Sequence, residues 1–221
     1  MNSVASQNKI ALLCPTRKRP ELLKQMMDSA LSMADSPKSI IFALRLDKDD
    51  ESDYSFIDRY PCYWHKANRQ KGYLDIPSFY NECADIVSQH NAVKVLGIVN
   101  DDNIFTKQGW DSIVKDSLPN DIGMVSDSDH TFPFITKRWY DIVGHIANPD
   151  EVHVDTYLWD IAVRLGRFVC VEPFLHHVRP QDETQIEAME LANSNETASK
   201  FWNEEHTQWR IEVVEKLARY I

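Results

Sequence analysis

The stretch VKVLGIVNDDNIF, residues 93–105, decides the fold of this 221-residue chain. Its first seven residues, Val93 to Val99, are mostly branched apolar residues, and their number suits a buried strand better than a helix. Asn100-Asp101-Asp102 follow without a spacer. In open α/β sheets, ligands bind beyond the carboxyl ends of the strands. The three polar residues therefore mark a candidate site at the end of a strand.

Other short apolar segments recur along the chain and alternate with segments of helical periodicity. The sequence predicts further strands over Ile10 to Cys14, Ser39 to Leu46, Cys62 to His65, Ile122 to Ser126 and Phe168 to Val171. It predicts helices from Pro20 through Leu31, over Ser78 to Val87, and over Val154 to Leu165 with Gly166 just past the end. Pro15 is expected to end the first strand.

This alternation is typical of an α/β fold with a mostly parallel sheet flanked by helices. We assign it to residues 1–180. Residues 181–221 are predicted to form a helical, acidic C-terminal extension. Its apolar stripe of Trp209, Val213, Leu217 and Ile221 is expected to pack on the domain or on a partner chain, and the second arrangement would make a homo-oligomer.

Composition excludes several classes of protein. A hydrophobic fraction of 43% allows one domain with a substantial core. The net charge of -10 argues against a broad nucleic-acid surface, although Arg17 to Arg19 or Lys66, Arg69 and Lys71 are candidates for a local basic pocket. The sequence contains neither a secretory signal nor a bilayer-spanning apolar stretch, which predicts a soluble, cytoplasmic protein. The scattered Cys14, Cys62, Cys83 and Cys170 are expected to be buried free thiols.

Three polar clusters follow predicted strands: Pro15-Thr16-Arg17, Asp47 to Asp50, and Asn100 to Asp102. In a parallel sheet all three would meet at one edge. The glycines form neither a dinucleotide-binding pattern nor a P-loop, so glycine amides cannot cradle a phosphate. Carboxylates repel a diphosphate unless a divalent cation lies between them, and oxygen ligands suit Mg²⁺ or Mn²⁺. Asp102 is therefore a candidate metal ligand.

The residues at these positions resemble a known family. ALLCPTRKRPELL (residues 11–23), VLGIVNDDNIF (95–105), HVDTYLWDIAVRLGR (153–167) and HHVRP (176–180) are similar to segments of GT-A glycosyltransferases of the family-2 kind. Short soluble members of this family are common in bacteriophages. If this protein is encoded by a phage, it would work in the host cytoplasm. The resemblance covers roughly Lys9 to Pro180 and implies a GT-A (nucleotide-diphospho-sugar transferase, Rossmann-like) fold.

The resemblance also implies a role for individual residues. On the nucleotide side, Pro15, Thr16 and Arg17 would border the nucleotide, and Asp47 would bind its base or ribose. Asp101 would lie in the cofactor-binding motif, and Asp102 would bind the metal. Asp155 would be the catalytic base, and His177, or else His176, would be a second ligand of the metal or diphosphate. The implied activity is an inverting, metal-dependent transfer of a hexosyl or pentosyl group from a nucleotide-sugar, expected to be UDP-linked. The acceptor is left open among a glycan, a lipid-linked saccharide, a protein and a modified nucleobase.

The sequence departs from the family pattern in three places. Asn100 replaces the first Asp of the Asp-x-Asp motif, and Val154 stands where a Glu often precedes the Asp. The Gln-x-x-Arg-Trp motif of processive synthases is absent, which favours transfer of a single sugar.

Simpler interpretations accompany these roles. Asp155 or Thr156 would cap the helix, Asp160 would be a surface residue, and a histidine near a strand end is often structural. Two other functions remain as alternatives: a sugar nucleotidyltransferase, and a non-catalytic protein that binds nucleotide-sugars.

Overall fold

The computed structural model describes residues 8–119, 121–127, 130–192, 194 and 200–221. The strands are β1 (Lys9–Thr16), β2 (Ile40–Asp47), β3 (Cys62–Ala67), β4 (Val93–Ile98), β5 (Asn103–Phe105), β6 (Met124–Asp127), β7 (Phe134–Thr136), β8 (Phe168–Val171) and β9 (Leu175–His177). The helices are α1 (Pro20–Ser32), α2 (Ile76–Ser88), α3 (Trp110–Ser117), α4 (Lys137–Val143), α5 (Val154–Arg164), α6 (Glu183–Ala192) and α7 (Glu204–Ala218).

A seven-stranded sheet has the order β3-β2-β1-β4-β7-β6-β8, and β5 and β9 form a separate two-stranded ribbon. The strands β3, β2, β1 and β4 are parallel, and only β7 runs antiparallel to its neighbours. The predicted mostly parallel sheet is confirmed. The chain moves outward from β1 to β3 and then returns to the other side of β1 at β4. This change of direction creates a switch point beside β1, where open α/β sheets bind ligands.

Both faces of the central strands are buried. Ile10 and Leu12 belong to an apolar cluster that includes α1 and α3, whereas Ala11 and Leu13 belong to one that includes α2, α4 and α5. All four side chains are 0% exposed. Alternate residues of a strand point to opposite faces of the sheet, so each strand contributes to both cores. Burial of each leucine contributes about 1.5–3 kcal/mol.

Pro15 does not end β1, contrary to the sequence-based expectation. The strand continues to Thr16, and Pro15 lies opposite Arg45 of β2. Pairing of β1 with β4 stops at Leu13 and Ile98, so the side on which β4 lies has no partner at Pro15. A proline, which lacks the backbone N–H, fits where the ladder is open on one side.

The start of α5 also differs from the prediction. The first helical hydrogen bond runs from the amide of Tyr157 to the carbonyl of His153 at 2.8 Å, which makes His153 the N-cap. Asp155 and Thr156 therefore lie inside the first turn and are not caps. Gly166, at φ +64°, follows the end of the helix as predicted.

The C-terminal helix α7 packs on α4 and α5. Val213 and Leu217 of the predicted stripe are buried in the domain core, whereas Ile221 is 54% exposed. Any homo-oligomer through α7 would thus have to use its other face.

Arg210 of α7 is 0% exposed and joins the helix to the domain. Its Nε donates to Oδ2 of Asp160 at 2.8 Å, and its Nη1 donates to Oε2 of Glu151 at 3.4 Å. Asp160 is consequently buried, and the expectation that it lies at the surface is wrong. The buried guanidinium attracts it inward, because a buried charge needs a partner.

The cysteines differ from one another in exposure. All four are free, and Cys14 and Cys83 are buried as predicted. Cys62 is half-buried, and Cys170 is exposed, contrary to the prediction. No helix in the described part of the chain is long and apolar enough to cross a bilayer.

Arg210→Ala should lower the free energy of unfolding by about 3 kcal/mol, because it removes a fully buried guanidinium from Glu151 and Asp160, which then keep only His206 and Arg164 as ionic partners. Urea denaturation measures this loss. Arg219→Ala removes an arginine from the exposed end of the same helix and should change stability by less than about 0.5 kcal/mol. Equal small effects of the two changes would show that Arg210 does not hold α7 in place.

Candidate active site

A cavity of about 270 Å³ opens at the carboxyl ends of β1, β2 and β4. Its lining includes the following residues predicted for the site: Pro15, Thr16, Arg17, Asp47, Asn100, Asp101, Asp155 and His177. The three polar clusters of the sequence thus meet at one edge of the sheet. Asp102 lies just outside the lining, where it contacts His177, and His176 is exposed.

The β5–β9 ribbon holds Asp102 and His177 together. Asn103 of β5 is paired with His177 of β9, and the amide of Val178 donates to the carbonyl of Asp102 at 3.0 Å. The side chain of Asn103 accepts from the amide of Asn100 at 2.8 Å, which closes the turn between β4 and β5. Adjacent residues of a strand point to opposite faces, so His177 faces the site and His176 does not.

Asp102 is a buried carboxylate whose charge is poorly compensated. The residue is 1% exposed, and neither of its carboxylate oxygens has a hydrogen-bond donor among the described residues. Nε2 of His177 lies 3.1 Å from Oδ1 and likewise has no hydrogen-bond partner in the described part of the chain. The nearest guanidinium nitrogen is Nη1 of Arg19, at 3.6 Å. Burial of such a group is costly unless a cation is supplied from outside.

The donor set fits a divalent cation that shares its coordination with a ligand. Within the described ranges, no three His, Cys, Asp or Glu side chains cluster closely enough to hold a metal by themselves. Mg²⁺ is commonly held by one or two carboxylates together with substrate phosphates and water. Nε of Arg179 donates to Nδ1 of His177 at 3.3 Å. Ligation through Nε2 places the proton on Nδ1, so the exposed Arg179 would have to turn away.

Asp101 is compensated differently from its neighbour. Its Oδ2 accepts from the hydroxyl of Thr16 at 2.7 Å, and its Oδ1 accepts from Nη1 of Arg19 at 3.1 Å. Burial raises the pKa of Asp101 to about 6, and the charge of Asp102 adds to the rise, whereas Arg19 and Thr16 oppose it. Asp101 therefore fixes Arg19 and the end of β1 in place.

Asp47 lies among three guanidinium groups. Its Oδ2 is 2.9 Å from Nε of Arg17 and 3.5 Å from Nε of Arg69, and its Oδ1 pairs with Arg45. Arg45 is 1% exposed and stacks 3.8 Å above the ring of Phe79. Burial lowers the pKa of Arg45 below its ordinary value. The end of β2 thus presents a wall of guanidinium groups to the cavity, and two further carboxylates, Asp49 and Glu82, pair with Arg17 and Arg45.

Asp155 lies on the lining in the first turn of α5. Its Oδ1 accepts from the amide of Thr156 at 2.7 Å and from the hydroxyl of the same residue at 3.3 Å. Tyr73 also lines the cavity, and burial, together with the charges of Asp155 and Asp102, raises its pKa to about 12. Tyr73 therefore keeps its proton and can donate a hydrogen bond to a ligand.

No family model and no curated protein matches the sequence. Solved structures match over most of its length. The mannosyltransferase PcManGT from Pyrobaculum calidifontis, in complex with GDP-Man and Mn²⁺, is 11% identical with a TM-score of 0.58, over 96% of this chain and 69% of that one. S. aureus TarS 1–349 in complex with UDP-GlcNAc is also 11% identical with a TM-score of 0.58, over 96% and 72%.

A cytidylyltransferase from Leptospira borgpetersenii is 10% identical with a TM-score of 0.53, over 76% of each chain. The present chain spans 43% of a longer S. aureus TarS structure. The fold is of the GT-A type. At sequence identities of 10–12%, the similarity to these structures shows the fold alone.

Among the cavity residues that were not candidates from sequence are Arg45 and Tyr73. Arg45 interrupts an otherwise apolar predicted strand, and a charge inside a buried strand was the available signal. Tyr73 had no such signal, because the turn that carries it reaches the cavity only through tertiary packing. Arg19 and Arg69 were noticed only as parts of possible basic pockets, and both line the cavity.

Asp102→Asn should raise the melting temperature in EDTA by roughly 2–8 °C, because it removes a buried charge that is only poorly compensated. Mn²⁺ should raise the melting temperature of the wild type and have no effect on the variant. Thermal denaturation with and without Mn²⁺ measures both.

Asp111→Asn is the matched control. Asp111 is also buried, but it accepts from the amides of Asp35 and Ser36 at 2.7 and 3.2 Å. This variant should be less stable than the wild type and should keep the response to Mn²⁺. If Mn²⁺ does not change the melting temperature of the wild type, the metal assignment is contradicted.

Proposed function

We propose that this protein is an inverting, metal-dependent glycosyltransferase that moves one sugar from a nucleotide-sugar to an acceptor hydroxyl. The observation that carries the proposal is the arrangement of the cavity. Its lining brings together His177, a wall of guanidinium groups and the separate carboxylate of Asp155, and the buried, poorly compensated Asp102 lies directly against His177. Support also comes from the fold, which is similar to that of proteins solved with GDP-Man and Mn²⁺ or with UDP-GlcNAc.

The donor is proposed to lie across the ends of β1 and β2. Pro15, Thr16 and Arg17 would border the nucleotide, which we expect to be UDP. Asp47 would contact the base or ribose, directly or through Arg17 and Arg69, whose guanidinium groups it orients. Guanidinium groups suit the diphosphate as well, because their planar donors match phosphate oxygens.

Asp102 and His177 are proposed to hold Mn²⁺ or Mg²⁺. A cation bound there would neutralise charge that develops on the leaving diphosphate. Asp102 supplies the negative charge for this site, and the ribbon pairing with Asn103 keeps His177 in position. Asp101 would keep Arg19 and the end of β1 aligned with the nucleotide.

Asp155 is proposed as the general base. Its Oδ1 is engaged by Thr156, which leaves Oδ2 to accept the proton of the acceptor hydroxyl. The oxygen freed of its proton attacks the anomeric carbon as the bond to the diphosphate breaks, and the configuration inverts. The transferred group is a hexose or pentose. The acceptor is proposed to be a glycan, a lipid-linked saccharide, a protein or a modified nucleobase.

A sugar nucleotidyltransferase is the second candidate, because the Leptospira cytidylyltransferase has a similar fold. The absence of a glycine-rich phosphate loop from the sequence weighs against it. Incubation with nucleoside triphosphates and sugar phosphates, assayed for pyrophosphate, separates the two classes. If this protein binds nucleotide-sugars but shows no turnover in either assay, the non-catalytic role is supported.

Asp155→Asn should lower turnover by about 10² to 10⁴, because an amide cannot accept the proton. Donor affinity and melting temperature should stay close to those of the wild type, since Asn can still accept from the amide of Thr156. Steady-state kinetics and calorimetry measure these quantities. Asp116→Asn, on the exposed surface of α3, is the matched control and should leave turnover unchanged. Normal turnover in Asp155→Asn would rule out the base assignment.

Transfer should be single and inverting, because one base suffices and the processive motif is absent. The anomeric proton of the product, followed by NMR from the first turnover, reports the configuration. Retention of the donor's configuration would contradict the inverting mechanism, and a ladder of polymeric products would contradict single transfer.

A further inference from the structure

The segment that follows the β5–β9 ribbon lies against the cavity. We call residues 182–192, which consist of Asp182 and α6, the C-terminal strap. Gln185, Glu187 and Ala188 of the strap line the cavity beside the residues that end β1 and β2. The strap approaches the guanidinium groups of the cavity with acidic side chains.

Asp182 makes a two-pronged contact with Arg19. Nε of Arg19 donates to Oδ2 at 2.7 Å, and Nη2 donates to Oδ1 at 2.5 Å. Nη1 of the same guanidinium holds Asp101 at 3.1 Å. An arginine binds a phosphate in the same bidentate manner as a carboxylate. Asp182 thus occupies the two donors of Arg19 that would otherwise be available to an anionic ligand.

Glu187 makes the second contact of this kind. Its Oε2 lies 3.5 Å from Nη1 of Arg69, and its Oε1 accepts from the amide of Tyr73 at 3.0 Å. A Cβ added at Gly72 would collide with this carboxylate, so the glycine permits its close approach to the backbone. A guanidinium and a backbone amide on the cavity wall both converge on one carboxylate.

Charge rather than apolar burial holds the strap. Ile186 and Met189 of α6 are 53% and 54% exposed, and the helix meets the domain mainly at the turn Gly72–Asp75. The side chains of Asp182 and Glu187 are each 38% exposed, so an anion in solution can reach the contacts that these carboxylates make. A phosphate that makes the same bidentate contact with Arg19 offsets the loss of Asp182, so an entering diphosphate can displace the strap.

We propose that Asp182 and Glu187 mimic the anionic groups of the ligand, so that the strap inhibits the site and an entering diphosphate must displace it. The inference rests on the proposed function for the identity of that anion, a nucleoside diphosphate. Arg19 and Arg69 are then the residues whose guanidinium groups release the carboxylates of the strap and bind the phosphate oxygens of the ligand. With the strap seated, its two carboxylates add to those of Asp47, Asp101 and Asp155, and repel further negative charge.

The test uses the full-length double variant Asp182→Asn/Glu187→Gln. Asn can still accept the hydrogen bond that Oδ1 of Asp182 receives from the amide of Gln185, and Gln can still accept from Tyr73, so mainly the charge changes. Calorimetric titration with inorganic pyrophosphate, at a fixed excess of Mg²⁺, measures anion affinity. The double variant should bind roughly three- to tenfold more tightly than the wild type. The difference should shrink as NaCl is added.

Glu183→Gln is the matched control on the same helix. Its side chain is 92% exposed and 3.6 Å from Nζ of Lys18, so pyrophosphate affinity should remain that of the wild type. Hydrogen exchange of residues 185–191 supplies a second readout. Pyrophosphate should speed exchange in the wild type, and the double variant should exchange fast without it.

Two results would overturn the inference: equal pyrophosphate affinity in the double variant and the wild type, including no binding by either, or slower exchange of the strap when pyrophosphate binds. The second would mean that the strap closes over the ligand instead of leaving. The same titrations with UDP and GDP test the proposed function separately. If pyrophosphate displaces the strap but the protein binds neither UDP nor GDP, the inference about the strap is upheld and the proposal of a nucleotide-sugar donor is rejected.

Discussion

Burial of β1, β2 and β4 on both faces of the sheet is the constraint on which the rest of the structure depends. Apolar side chains fill both sides of these strands, so polar groups are concentrated at and beyond the strand ends. The parallel order brings those ends to one edge, and the return of the chain to β4 opens a cavity there. Arg45 is the exception within β2, and its guanidinium reaches the same edge to pair with Asp47.

Charges around the cavity are balanced unequally. Asp47 is surrounded by arginines, and Asp101 has both Thr16 and Arg19. Asp102, at the next position in the chain, faces an imidazole and has no hydrogen-bond donor among the described residues. A buried carboxylate requires compensation. Asp101 receives it from neighbouring side chains, which suits a positioning role, whereas Asp102 lacks it, which suits the proposed metal-binding role.

Two parts of the C-terminal extension are attached by different forces. The helix α7 buries Val213 and Leu217 and inserts Arg210 between two carboxylates, so its release would expose a core and unpair charges. The C-terminal strap keeps Ile186 and Met189 exposed and contacts arginines of the cavity. Deep burial attaches α7 firmly to the domain, whereas the carboxylates of the strap are half-exposed and can be exchanged for another anion.

The sequence by itself determined the alternation of strands and helices, the mostly parallel sheet, and the meeting of Thr16, Asp47 and Asp101 at one edge. Those features follow from local periodicity and from the geometry that parallel strands share. Only the tertiary structure decided that Pro15 lies within a strand, that Asp160 is buried against Arg210, and that Asp182 reaches Arg19. Each of these depends on which distant segment packs alongside, and a partner 30 or more residues away leaves no mark on local periodicity.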